Sequence, residues 1–165
     1  MATITIREIA YEEAAKICYP LLYSLNPDMT EANFQRLLKI VTDEGEVMVG
    51  LFEDGKLAAL VGYWLAHQFW CDKFLEPDNL IVLPEHRGKN YGRKLMEWLE
   101  NRAAELDCKL VLLKSYKANE PATKFYEKLE YTALGNVFLK PLGTDNRKAF
   151  ADMLAARNIG QKSAA

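Results

Sequence analysis

The chain has 165 residues, half of them apolar, with 21 Lys or Arg against 23 Asp or Glu and a formal net charge of −2. That length suits one domain with a sizeable core, and the mildly acidic total argues against a general nucleic-acid binder, which is usually basic. Three scattered cysteines (Cys18, Cys71, Cys108) and two histidines (His67, His86) make neither a disulfide framework nor a metal-ligand spacing, so free thiols and no metal are expected.

The first residues, MATITIREIAYEEAAK, carry early acids and no apolar stretch, so no signal peptide is read. No run is long enough for a membrane span, and a cytoplasmic protein is expected. Residues 2–8 alternate and are β-branched, which predicts a first strand. Residues 11–25 have helical spacing interrupted at Pro20. Thr30 predicts the cap of a helix over 31–42. The pattern then changes to period two. EVMVGLFE (46–53) and KLAALVGYWLAHQ (56–68) predict strands joined by a tight Asp54-Gly55 turn. The second strand is apolar on both faces and is expected to be central. DNLIVL (78–83) predicts a strand, 92–106 a helix burying Leu95, Leu99 and Leu106, and 109–115 a strand. Residues 119–129 predict a helix capped by Asn119 with Pro121 in its first turn, and 131–140 a last strand. The order implies a mixed α/β sheet whose last crossovers are parallel and right-handed. Residues 143–165 stand apart as a helical extension and tail.

The stretch PEHRGKNYGRKL (84–95) puts glycines and cations between a strand and a helix. The first turn of a helix offers N–H groups and a partial positive charge, which suits an anion. Gly88 and Gly92 permit close approach of the backbone, and Arg87, Lys89 and Arg93 add charge. A solvated glycine-containing connection is the plainer alternative. The Walker loop is excluded because no Ser or Thr follows Arg93-Lys94, and no GxGxxG follows the first strand.

Arg87-Gly88-Lys89-Asn90-Tyr91-Gly92 resembles the R/Q-x-x-G-x-G/A pyrophosphate loop of the GNAT acetyltransferase superfamily. NEPATKFYEKLEY (119–131) resembles that family's N-x-x-A-x-x-F-Y segment. The resemblance spans about residues 3–141, with its motifs in 78–131. It implies a mostly antiparallel central sheet with a splayed strand pair and flanking helices, in a domain over 1–142. It departs from the family at Asn90, which stands where the loop has its first glycine, and at Glu130, which stands where a glycine precedes the last strand.

The resemblance implies acetyl-CoA as co-substrate and direct acetyl transfer to an amine. The loop over Arg87, Gly88, Lys89, Asn90, Tyr91, Gly92 and Arg93 would cradle the pyrophosphate. The pantetheine arm would run along Ile81, Val82 and Leu83, with a backbone N–H near Ile81 polarising the thioester carbonyl. Asp78, in the position of a carboxylate in the related polyamine acetyltransferases, would take the amine's proton, with Glu76 as second candidate. Either is equally readable as a solvated strand-end carboxylate. Tyr126 would protonate the departing thiolate and Asn119 would bond the pantetheine arm. Without the resemblance these two read as a helix aromatic and a helix cap.

Tyr63 and Trp64 read as strand core; His67, Phe69 and Trp70 lie near a hairpin end where an acceptor pocket is conceivable. Acids at 12–13, 28, 31, 43–44 and 46 would draw a cationic amine, although helices ordinarily carry solvated acids. The expected acceptor is a small cationic amine. A protein lysine or N-terminus is the alternative acceptor, and an acetyl-CoA-binding sensor without turnover is the alternative class. No nucleic-acid or membrane partner is expected; the resemblance allows a homodimer, which the sequence does not decide.

Overall fold

The structure, a computed structural model, describes residues 2–116 and 119–156. The chain divides into two compact units, Met1–Leu113 and Lys114–Ala165, whereas the sequence places its boundary at 142/143. The first unit contains β1 (Ile4–Ile9), α1 (Tyr11–Ile17), α2 (Tyr19–Leu25), α3 (Glu31–Asp43), β2 (Val47–Glu53), β3 (Lys56–Gln68), β4 (Asp72–Val82), α4 (Tyr91–Glu105) and β5 (Leu110–Val111).

Local chemistry sets most of these boundaries. Pro20 has no N–H to give, so one helical stretch becomes α1 and α2, meeting at Cys18. Thr30 accepts from the Asn33 amide at 3.2 Å and starts α3. Asp54 and Gly55 both take positive φ, +49° and +78°, as a two-residue hairpin turn requires.

The sheet runs β1-β2-β3-β4-β5; the first four strands are antiparallel neighbours and β4 pairs with β5 in parallel. Residues 58–63 of β3 are buried, so both faces of the central strand are covered. One face meets α1, α2 and α3, where Cys18, Leu21, Phe34 and Leu38 pack with Met48, Leu60 and Ile81. Strand alternation turns Val49 and Leu51 to the other face. There α4 packs on β2, β3 and β4 through the fully buried Leu95, Met96 and Leu99. Each such side chain contributes about 1.5–3 kcal/mol by leaving water. Leu106, expected on this stripe, lies past the helix end and is half-buried.

Three expected elements differ. The strand expected over 78–83 begins six residues earlier, at Asp72, because β3 continues to Gln68 and holds a partner that far. The strand expected over 109–115 shrinks to Leu110–Val111, which pair with Phe74 and Leu75. Beyond Leu75, β4 has its β3 neighbour on one side and no strand on the other within this unit. This open edge is the splay.

The second unit contains α5 (Glu120–Glu127) and α6 (Thr144–Ala156). Residues 131–140, expected as a strand, are irregular, with Leu134 and Phe138 82% and 91% exposed. A strand is made by its partner, and the described residues of this unit contain no other strand. The helical extension expected within 143–165 forms over Thr144–Ala156, and residues 157–165 lie outside the described residues. Among the described residues no helix is long and apolar enough to cross a membrane.

Candidate active site

The middle of β4 carries an extra residue. Leu60 pairs with Ile81 and Gly62 with Asp78, so Val61 of β3 faces both Asn79 and Leu80. The bulge turns on Asn79, whose φ of +54° is left-handed. Asn adopts that conformation more readily than most residues. A bulge takes a backbone group out of the ladder and bends the strand, which is why bulges recur beside reacting centres.

Asp78, at the bulge, is exposed, and accepts from Asn79 Nδ2 at 2.7 Å. Glu76, opposite Trp64 and two residues earlier, shares its face. A third carboxyl reaches the same place from the residue that leads into β2. The Glu46 amide donates to Val41 O at 2.8 Å at the entry to β2, and its side chain lies over Gly62. A Cβ at Gly62 would stand 3.0 Å from Glu46 Cδ and overlap its Oε1. Glu46 is 5% exposed, and Oε1 is buried without a hydrogen-bond partner. Burial first, and the nearby Asp78 charge second, push its carboxyl up to about 7.

After β4 the chain makes a short 3-10 turn at Pro84–His86 and enters α4. Gly88 has φ +77° with open space where a side chain would stand. Asn90, in place of the family's first glycine, has φ +62° and makes no side-chain cap bond. The first turn of α4 at Tyr91 and Gly92 therefore has no side-chain oxygen capping it, an arrangement that fits a pyrophosphate. Arg87 is exposed, its Nε 3.4 Å from Val82 O, and Arg93, exposed in the first turn of the helix, has its Nη1 3.7 Å from Glu97 Oε1. The Lys89 Nζ donates to both oxygens of Glu53, each at 2.9 Å. His86 Nδ1 lies 2.7 Å from Glu53 Oε2. Hydrogen bonds from Lys89 and then Tyr91 hold the Glu53 carboxyl below the usual range. Glu53, at the end of β2, thus ties the loop to the sheet.

Along β4, Ile81 and Val82 pair with Leu60 and Ala59, and the Leu83 amide donates to Ala58 O at 3.1 Å. Their β3 side is used; the other edge is the splay. The His67–Trp70 end of the hairpin is five or more residues from Gly62, about 17 Å along the strand. Phe69 and Trp70 are exposed there and stand away from the carboxyls. A hollow between β1 and α4 is lined by Arg7, Glu8, Trp98 and Arg102, but its charges are spent on one another: Arg7 on Glu13 at 2.6 Å, Arg102 on Glu8 at 3.2 Å.

In the second unit, Asn119 Oδ1 accepts from the Ala122 amide at 3.3 Å and caps α5. Tyr126 is half-buried on that helix, edge-on to Phe125 and Tyr131 with ring centres 5.2 and 5.9 Å away. Burial raises its phenol, which keeps the proton on. Glu130, where the family has glycine, adopts φ +65°. The Tyr131 amide still closes the helix end onto Tyr126 O at 3.0 Å, so the turn forms with the larger residue.

The family model described as Acetyltransferase (GNAT) family matches residues 9–131. A Bacillus subtilis (strain 168) protein, uncharacterized N-acetyltransferase YhdJ, is 25% identical over 141 residues, covering 84% of this chain and 99% of that one. The crystal structure of glucosamine-6-phosphate N-acetyltransferase from Arabidopsis thaliana is similar at a TM-score of 0.67 and 25% identity, covering 86% of this chain and 99% of its own. Aminoglycoside N-acetyltransferase AAC(6')-Iy, solved in complex with CoA, reaches a TM-score of 0.73 at 16% identity over 85% of this chain and 95% of its own.

Proposed function

Because this chain belongs to the acetyltransferase (GNAT) family and is an acyl-CoA-dependent N-acetyltransferase, we propose that its acceptor is a primary amine on a small cationic molecule, acetylated by direct transfer in a ternary complex. The observation that carries this reading is the run of carboxyls on one face of the sheet. Glu46, Asp78 and Glu76 meet beside the bulge, with no described basic side chain recorded as paired to Glu46. Such a face attracts a cation and gives its proton somewhere to go.

In this reading the first-turn amides of α4, which no side chain caps, hold the pyrophosphate of acetyl-CoA together with Arg87 and Arg93, and that co-substrate supplies the acetyl group. Glu53 keeps the loop in place through Lys89, so Lys89 contributes backbone more than free charge. The open edge at Ile81, Val82 and Leu83 receives the pantetheine arm. Asp78 accepts the amine proton, and Glu76 is close enough on the same face to orient the ammonium. The family motif that Tyr126 and Asn119 match supports their assignment as proton donor to the departing sulfur and as a bond to the pantetheine arm, and burial keeps the Tyr126 phenol protonated. Holding two reactants in line supplies much of the rate in such a site.

The test is CoA release from acetyl-CoA across a panel: diamines and polyamines, an aminoglycoside, glucosamine 6-phosphate, a lysine peptide and a free N-terminal peptide. Fastest turnover with a small polycation is expected. A clear preference for either peptide, or for the anionic sugar phosphate, contradicts the proposed acceptor. Acetyl-CoA binding without turnover on any member points to a sensor instead.

A further inference from the structure

We propose that Glu46 is the proton-holding partner of Asp78: the two carboxyls, meeting over Gly62, act as one acidic pair that receives the acceptor's ammonium and removes its proton. The inference rests on the acetyltransferase reading and adds to it a residue from the entry to β2.

Three features of the fold converge on this point. Gly62 of β3 pairs with Asp78, and its missing side chain is what admits the Glu46 carboxyl, since a Cβ there would overlap Oε1. Glu46 is 95% buried, and Oε1 has no donor. A structural carboxylate in such a place would be expected to have a cationic or N–H partner, because burying a charge unpaired is costly. The groups that face it are few among the described residues. Gly62 of β3 brings none, the Val41 carbonyl at the α3 end takes the Glu46 backbone amide rather than its side chain, and β4 brings Asp78, whose like charge opposes its ionisation, with Glu76 next along the same face. Asp78 is exposed and meets the substrate; Glu46 acts through it.

The pair matches the chemistry needed. An alkylammonium holds its proton to about pH 10, and an ordinary solvated carboxylate is a weak sink for it at neutral pH. A carboxyl titrating near 7 is closer to the efficient range for a general base. In the proposed step the ammonium passes one proton to the pair. The freed lone pair on nitrogen forms the N–C bond to the acetyl carbon, and the C–S bond breaks with its electrons going to sulfur. The nitrogen's second proton balances the one taken up by the thiolate, so each turnover releases one proton to solvent through the pair.

The test is the pH dependence of kcat/KM with the best acceptor, for the wild-type protein and Glu46→Gln, which keeps the shape. The wild type is expected to lose activity as pH falls through about 7. Glu46→Gln should lower kcat on the order of 10²-fold, displace or abolish that inflection, and leave KM for acetyl-CoA unchanged. An unchanged rate and profile overturn the pair while leaving the acetyltransferase reading intact; no wild-type turnover with any amine overturns that reading instead. A readout without substrate decides the pair in either case. A carboxyl raised in the folded state binds its proton more tightly there than when unfolded, between the ordinary Glu range and about 7. Folding stability therefore falls as pH rises through that window. Thermal unfolding should show this slope in the wild type and a flatter one in Glu46→Gln. Equal slopes contradict a proton held at Glu46.

Discussion

The two ends of β2 meet charge in opposite ways. At its far end, beside the loop that leads into α4, Glu53 is saturated: Lys89 donates to both its oxygens, His86 lies 2.7 Å away and Tyr91 also bonds to it. At the bulge, Glu46 is buried with an oxygen that nothing donates to, beside a second acid. The first arrangement lowers its carboxyl and fixes a loop. The second raises its carboxyl and leaves it able to change charge near neutral pH. Anchoring and proton transfer need these opposite environments, and one strand supplies both within a few residues.

The comparison breaks most sharply at the loop backbone. Gly92 is the second residue of α4, where side chains would crowd an approaching phosphate. Gly92→Val is expected to reduce kcat/KM for acetyl-CoA by more than 10²-fold, about 3 kcal/mol of binding, with the melting temperature little changed. Steady-state kinetics with unaltered kcat/KM would separate the loop from the co-substrate. Tyr126→Phe is next. It should lower kcat by roughly 10²-fold while acetyl-CoA affinity holds, and a single-turnover measurement at wild-type rate would remove the phenol as proton donor. Glu53→Gln tests anchoring against chemistry: KM for acetyl-CoA should rise about 10-fold, about 1.4 kcal/mol, with kcat at saturation preserved. A fall in kcat instead would mean that Glu53 reaches the reacting atoms. Smallest is Glu130→Gly, which relieves a left-handed glutamate. It should stabilise the helix end by about 1 kcal/mol, read by chemical denaturation, without changing turnover.

Much of the fold was legible because it rests on local chemistry. The Asp54-Gly55 turn, the Thr30 and Asn119 caps, the Pro20 break and the buried stripe of α4 are each settled within a few residues. So was the loop, where glycine and cation spacing between strand and helix is itself the signal. What failed was pairing. Residues 131–140 alternate like a strand, yet they are irregular, because alternation states only that one face prefers burial and a strand needs a neighbour. The early start of β4 was hidden behind Phe69, Trp70 and Cys71, which read as part of an aromatic run rather than a hairpin end.

The carboxyl pair shows the same limit at the site. Glu46 read as one of several scattered acids, 32 residues from Asp78, and only the β2-β3-β4 register brings the two together. A faint signal was present in Gly62. A glycine in the middle of a β-branched and aromatic central strand weakens it, and so marks a place where something else comes close. Asn79 gave no warning of the bulge, since Asn at a strand end reads as ordinary turn chemistry.

The most direct test of the account is a calorimetric titration of acetyl-CoA into the wild-type chain at two ionic strengths. Binding is expected at one site per chain, weaker at higher salt, as suits a pyrophosphate held by helix amides, Arg87 and Arg93. No binding at either ionic strength would contradict it and leave residues 84–95 as a connection between a strand and a helix.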